Sequence, residues 1–265
     1  MDESTSPLHA IILGIIQGVS EFLPISSSGH LIIYSSLTQG KALPLALNVA
    51  LHFGTLAAVL VYFHKDWLRL GKSVKEIATE GTLNSDTKVL IPALVVGSIP
   101  AAAVGLTFKD DIERLFHNPK SVAIPLIVVS FVMVLADKFS RKDRPIETLS
   151  VKTGFWIGLM QAVALIPGTS RSGITIAAGR ISGFTKTDAA KFSFLLGTPA
   201  MFGAFILEAS ELVQYLSDPN FYIGVTTSFL TGVLSIKFLL KFLGKYGFMP
   251  FAIYRILTAI ILLSL

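Results

Sequence analysis

Residues 13–31 read Leu-Gly-Ile-Ile-Gln-Gly-Val-Ser-Glu-Phe-Leu-Pro-Ile-Ser-Ser-Ser-Gly-His-Leu, with Ile11 and Ile12 before them and Ile32 and Ile33 after them. An apolar helical run thus carries Gln17 and Glu21 in its middle, stops at Pro24, and opens into Ser26, Ser27, Ser28, Gly29 and His30. Polar groups set this deep in apolar sequence are costly in lipid unless they line a cavity or serve a site. Roughly 20 apolar residues are needed to cross a bilayer, and neither side of the break supplies them. The pattern predicts a re-entrant hairpin over 7–37 that enters and leaves on one face.

Composition agrees with a membrane setting. The chain has 265 residues, 52% hydrophobic and 15% charged, where a soluble domain carries about a quarter charged residues. It has no cysteine, which excludes disulfides, thiolate catalysis and cysteine-held metals. The start, Met-Asp-Glu-Ser, lacks a basic region, so no cleavable signal peptide is expected. A net charge of +5 fits basic cytoplasmic loops, and no nucleic-acid partner is expected.

Full spans are predicted over 42–64, which contains His52, and over 88–108 and 121–137. A polar loop is expected at 65–88, a short loop at 109–120, and a charged linker at 138–152. Residues 153–182 are again apolar and again broken, at Pro167–Gly173; spans follow at 191–209, 221–240 and 248–265. The two broken segments match: at an offset of 144, Gly14 meets Gly158, Gln17 meets Gln161, Ser26 meets Ser170, Ser28 meets Ser172 and Gly29 meets Gly173. At an offset of 143, Gly54, Thr55 and Ala57 meet Gly197, Thr198 and Ala200. Two matched blocks in the same order point to an internal duplication. The fold class expected is all-α integral membrane: six transmembrane helices plus two re-entrant helical hairpins, 7–37 and 153–182. The halves are 1–145 and 146–265. Three spans per half is an odd number, so the halves are inverted and their breaks meet near the midplane.

Loop charge orients this scheme. Lys65, Arg69, Lys72, Lys75 and Lys88 share one side with Lys138, Arg141, Lys142, Arg144 and Lys152, and with Lys241 and Lys245. The other side has Lys109, Arg114 and Lys120 in one loop. The positive-inside rule puts the first set in the cytoplasm and both termini outside.

Gln17 and Glu21, four apart, share a helix face. The turn Ser26-Ser27-Ser28-Gly29 offers hydroxyls and backbone N–H groups suited to phosphate oxygens. His30 follows Ser27 by three residues, within reach as its base. Pro167-Gly168-Thr169-Ser170-Arg171-Ser172-Gly173 repeats the turn and adds a guanidinium, the side chain that clamps phosphate with two parallel bonds. Together the turns would hold a nucleophile, a base, an acid and a phosphate clamp, which suits hydrolysis of a phosphate ester or anhydride on a membrane-held substrate. Each residue also has a plainer role: serines cap helix ends, a lone buried histidine such as His52 is structural, and the Asp110, Asp111 and Glu113 cluster is a solvated loop.

The residues Gln17-x3-Glu21, Ser27-Ser28-Gly29-His30 and Pro167-Gly168-Thr169-Ser170-Arg171-Ser172-x2-Thr175 resemble the signature motifs of the bacterial undecaprenyl-pyrophosphate phosphatases, also described as bacitracin-resistance phosphatases. The resemblance runs end to end. It implies removal of the terminal phosphate from a C55 isoprenoid diphosphate, recycling of that carrier for peptidoglycan synthesis, bacitracin resistance and an inner-membrane location. The family's first motif admits Gln or Glu at its first position, so Glu21 is its one carboxylate here. The resemblance also implies a divalent cation, Mg²⁺ or Ca²⁺, shared between Glu21 and substrate phosphates. The partners expected are the isoprenoid diphosphate and membrane lipids, and the chain admits a homodimer. Type 2 phosphatidic-acid phosphatases share a Ser-Gly-His and a Ser-Arg, but their nucleophilic histidine falls on Ala177 here and their Lys-x6-Arg-Pro element is absent.

Ser27 is therefore the expected nucleophile, His30 its base, Arg171 the diphosphate clamp and Glu21 the group orienting His30 or a metal ion. A water nucleophile activated by Glu21 or His30 stays open. Gln17, Ser26, Ser28, Gly29, Ser170, Ser172, Gly173 and Thr175 would line the pocket, which would open to the extracytoplasmic side. The rival class is a secondary transporter or lipid flippase, built on the same inverted repeat without hydrolysis.

Overall fold

The structure is a computed structural model and describes residues 6–38, 45–80, 87–116, 119–140 and 143–264. Eleven α-helices run through them: α1 (Pro7–Phe22), α2 (Ser27–Thr38), α3 (Leu45–Tyr62), α4 (His64–Glu80), α5 (Leu90–Leu115), α6 (Pro119–Phe139), α7 (Val151–Val163), α8 (Arg171–Ile181), α9 (Lys186–Leu212), α10 (Pro219–Leu243) and α11 (Met249–Ser264). No β-strand forms among the described residues; one isolated bridge joins Arg144 and Phe184. The fold is all-α. Among the described residues four helices are long and apolar enough to cross a membrane, over Leu90–Phe108, Lys120–Phe139, Lys186–Ser210 and Pro219–Leu243; counting the bent pair α3–α4 makes five. The apolar helices α1 and α11 have 16 residues each. Leu106 on α5, Ile124 on α6, Leu207 on α9 and Leu234 on α10 stand exposed, which suits helices bathed in lipid rather than water.

Two expected loops are helical. The polar loop over 65–88 is mostly α4, which leaves α3 at an angle of 77°. Trp67, Leu70 and Ile77 recur there at helical spacing, with Lys65, Arg69, Lys72 and Lys75 between them. That is an amphipathic helix, which average polarity conceals. Likewise α5 runs on to Leu115 through the loop expected at 109–120, where Arg114 bonds Asp111 at 2.6 Å one turn away. The side chains of Asp110 and Glu113 lie outside the described residues, as do Arg141 and Lys142.

Both breaks are present; the first is shorter than expected and the second lies three residues earlier. The first covers 23–26 and the second 164–170, so Ser27–His30 and Arg171–Gly173 form the first turns of α2 and α8 rather than open loops. Serine chemistry explains this. Ser26 Oγ accepts from Gly29 N at 3.4 Å, and Ser170 Oγ accepts from Gly173 N at 3.2 Å. Each thereby caps the helix that follows. Both serines have positive φ, 76° and 69°, a conformation that costs a non-glycine residue about 1 kcal/mol. The same two strained caps stand 144 residues apart, at the positions that the sequence match pairs.

Small residues set the helix crossings. α1 packs on α10 and α7 on α5. A Cβ at Gly14 would meet Thr227 Cβ and Gly224 O, and one at Gly158 would meet the Gly97 backbone. Gly14 on α1 and Gly158 on α7, 144 residues apart, thus do the same work, allowing backbones to approach closely. At one end of the molecule Lys191 bonds Asp66 at 2.8 Å, Lys186 bonds Asp137 at 3.2 Å and Arg180 bonds Asp143 at 2.9 Å. These pairs gather the ends of α4, α6, α8 and α9. Arg171 and Arg180 mark opposite ends of α8, about 14 Å apart at 1.5 Å per residue, so the breaks lie well away from this ionic end.

Candidate active site

The two breaks meet. Ser28 Oγ accepts from Gly168 N at 3.1 Å, and Ser172 Oγ donates to Leu23 O at 3.2 Å. These two serines are themselves 144 apart, and each bonds the opposite break. Their hydroxyls also pair at home, Ser26 with Ser28 and Ser170 with Ser172, both at 3.2 Å. The two helices that leave the breaks, α2 at Ser27 and α8 at Arg171, therefore bring two N-termini to one place, where backbone N–H groups favour an anion.

Glu21 is the hub. Arg171 Nη2 donates to its Oε1 at 2.7 Å. Ser27 Oγ donates to its Oε2 at 3.0 Å, and Gln17 Nε2 donates to the same oxygen at 3.1 Å. Glu21 is 8% exposed and Arg171 14%, so water screens the pair little. Gly197 makes room for the guanidinium, since a Cβ there would collide with Arg171 Nη1. Among the described residues Arg171 Nη1 and Gln17 Oε1 have no partner. A buried guanidinium nitrogen left unbonded beside a carboxylate-bound serine is a ready contact for an oxyanion.

Ser27, Ser28, Leu31, Ile32, Asn48 and His52 line a cavity of about 370 Å³ between α2 and α3. One wall is hydroxyl and amide, the other aliphatic, which suits a charged head on an apolar tail.

His30 does not meet Ser27. Its Nδ1 lies 2.7 Å from Ser26 O and its Nε2 lies 2.7 Å from Tyr254 Oη. A carbonyl only accepts, so Nδ1 carries the proton and Nε2 accepts from the tyrosine. The two rings stack 5.4 Å apart, nearly parallel. Spacing alone put His30 over Ser27, but three residues along α2 turn its ring toward α11. The group bonded to the Ser27 hydroxyl is Glu21.

His52 is the histidine at the hub. Its Nδ1 donates to Asn48 O at 2.9 Å, and its Nε2 lies 3.8 Å from Glu21 Oε2. Sequence reasoning gave it a structural role; its pairing with Asn48, one turn earlier in an apolar run, was the available signal. Ser170, Ser172, Gly173 and Thr175 are buried away from the cavity. Thr175 Oγ1 bonds Arg171 O at 2.6 Å and Ser193 Oγ at 2.5 Å, pinning α8 to α9. Arg255 and Tyr254, from the span read as plain scaffold, are close to the breaks. A lone cation in an apolar run was the signal for Arg255.

The residues present do not build a cation site. Among the described residues no three His, Asp or Glu side chains cluster suitably. Both oxygens of Glu21 are already bonded, one of them to a guanidinium. A cation at Glu21 would face Arg171 in a site with a single carboxylate.

Comparison with known proteins places the chain in a family. The family model described as Bacitracin resistance protein BacA matches residues 10–261. The chain is 40% identical over 255 residues to an undecaprenyl-diphosphatase of Desulforudis audaxviator, covering 96% of each. It is 41% identical over 267 residues to one of Thermomicrobium roseum, again covering 96% of each. With both breaks inside the matched region, the chain belongs to the bacitracin resistance protein BacA family.

Proposed function

We propose that this chain hydrolyses undecaprenyl diphosphate to undecaprenyl phosphate and inorganic phosphate, and so confers bacitracin resistance. Family membership and the names of its relatives support the substrate. The observation that carries the chemistry is one carboxylate, Glu21, bonded to the Ser27 hydroxyl at 3.0 Å and to the Arg171 guanidinium at 2.7 Å. A hydroxyl needs a base to become a nucleophile, and Glu21 Oε2 already accepts its proton's hydrogen bond.

The terminal phosphate enters the cavity and takes a bond from the free Nη1 of Arg171. Ser27 Oγ attacks its phosphorus while its proton passes to Glu21. The bond to the bridging oxygen breaks, and undecaprenyl phosphate leaves with that electron pair. Water then attacks the phosphoserine, Oγ leaves and recovers its proton from Glu21, and inorganic phosphate departs with the hydrogens of the water. Arg171 and the N-terminus of α2, which lines the cavity at Ser27 and Ser28, hold the charge on the transferring phosphoryl group throughout. A divalent cation would arrive on the diphosphate rather than in a protein cage, and no step here runs through it.

The membrane arrangement proposed is six spans and two re-entrant hairpins in two inverted halves, 1–145 and 146–265, in the bacterial inner membrane. The matched strained serines at the breaks and the matched glycine crossings support the duplication. The cavity would open to the extracytoplasmic side; the breaks lie away from the ionic end, into which the Lys- and Arg-bearing segments 65–80 and 143–152 run, and this supports the reading. The test is phosphate release from undecaprenyl diphosphate by purified protein in detergent. Wild type should turn over and Ser27→Ala, Glu21→Gln and Arg171→Ala should not. A wild type that moves the lipid across vesicles without releasing phosphate would overturn the reading.

A further inference from the structure

Arg255 of α11 has no solvent exposure and heads the fully buried side chains by size among the described residues. Its Nη2 donates to Thr169 O at 3.0 Å and Gly168 O at 3.1 Å, and its Nη1 donates to Pro24 O at 3.4 Å. Its Nε donates to Ser130 Oγ at 3.1 Å and Leu126 O at 3.3 Å. Every one of these acceptors is neutral, and no described ion pair includes Arg255. Arg180, also buried, is by contrast paired with Asp143 at 2.9 Å. A buried cation without a carboxylate is costly, so its placement calls for a reason.

The acceptors supply one. Pro24 lies in the first break, Gly168 and Thr169 lie in the second, and Leu126 and Ser130 lie on α6. Backbone carbonyls in a break have no helical partner, and lipid offers none. One planar guanidinium satisfies carbonyls from both breaks at once. Pro24 is three residues from both Glu21 and Ser27, and Thr169 is two residues from Arg171. The relative height of the two breaks is therefore also the relative position of hydroxyl, carboxylate and clamp.

We propose that Arg255 is a positioning residue of this site: its guanidinium locks the two breaks in the register that brings Arg171 onto Glu21 and Ser27. It touches no substrate. Lysine would keep the charge but not the flat fork that reaches both breaks. The inference rests on the phosphatase reading for its kinetic arm only.

The test uses full-length protein in detergent, as wild type, R255K, S130A and L262A. Leu262 is fully buried on the same helix and only packs. R255K should lower kcat about 100-fold, the scale of a misplacement near 1 Å, with KM changed by less than about threefold. S130A, which removes one of the bonds, should lower kcat about fivefold. L262A should lower the melting temperature and leave kcat as in wild type. A second arm reads register without substrate. The chain has no cysteine, so L23C/S172C forms a disulfide across the breaks, quickly with Arg255 and slowly with R255K. Wild-type kcat in R255K, or activity lost only in proportion to folded protein, overturns the proposal. If R255K does not fold, S130A decides: reduced kcat at unchanged melting temperature supports the proposal and unchanged kcat overturns it. If wild type releases no phosphate, the phosphatase reading fails alone and the cross-link decides.

Discussion

Arg171 Nη2 stands 2.7 Å from Glu21 Oε1, across 150 residues of sequence. Neither residue belongs to the other's half of the chain, so this contact is where the two breaks become one site. Removing either partner leaves a buried charge alone, which costs about 3 kcal/mol or more. Arg171→Met and Glu21→Gln should each lower the melting temperature and abolish phosphate release. The double variant should recover most of the stability and none of the activity, as a thermal melt beside a phosphate assay would show. A double variant as unstable as the sum of its singles would mean that the pair is not coupled.

Ser27 should carry phosphate during turnover. Acid quenching in the steady state, followed by peptide mass analysis, should find the adduct on the peptide that contains Ser27. Ser27→Ala should lose at least about 1,000-fold in kcat. An enzyme that turns over with no adduct, and that Ser27→Ala slows only modestly, uses water as its nucleophile.

His30 should act as a brace. Its ring lies between Ser26 O and Tyr254 Oη, each 2.7 Å away. Tyr254→Phe, which leaves the Ser27–Glu21 bond untouched, should reproduce part of the kcat loss of His30→Ala. If Tyr254→Phe is fully active while His30→Ala is dead, His30 acts on the substrate directly.

The glycine crossings should be intolerant of even one methyl group. Gly158→Ala places a carbon against the Gly97 backbone, whereas Gly203 has open space around it. Gly158→Ala should cost about 1–3 kcal/mol, and Gly203→Ala should stay within about 0.5 kcal/mol. Equal melting temperatures for the two variants would show that α5 and α7 can part freely.

Orientation is open to direct labelling, because the chain has no cysteine of its own. A single cysteine at exposed Lys75 on α4 should react with an impermeant maleimide in inside-out vesicles and not in right-side-out ones. Reaction from the outside would invert the proposed topology.

Sequence was most informative where lipid makes mistakes costly. A polar stretch inside an apolar run marked both breaks, and the offset of 144 paired Ser26 with Ser170 before any geometry. Glu21, Ser27 and Arg171 do come together. Geometry that depends on rotation about a helix axis was hidden: His30 was placed over Ser27 by counting residues, yet faces Tyr254. Contacts between distant segments were hidden for the same reason, so His52 at Glu21 and Arg255 behind both breaks went unread. α4 reads as a loop in sequence because its mean polarity outweighs its period.

Within the pair the charges cancel, since Arg171 answers Glu21 with the opposite sign. A headgroup can bond Arg171 without displacing that carboxylate, because Nη1 has no partner while Nη2 holds Glu21. Common phosphodiester lipids bring one diffuse charge, while a terminal diphosphate brings a compact, multiply charged anion. On the proposed reading, the pair would favour a compact diphosphate over ordinary phospholipid.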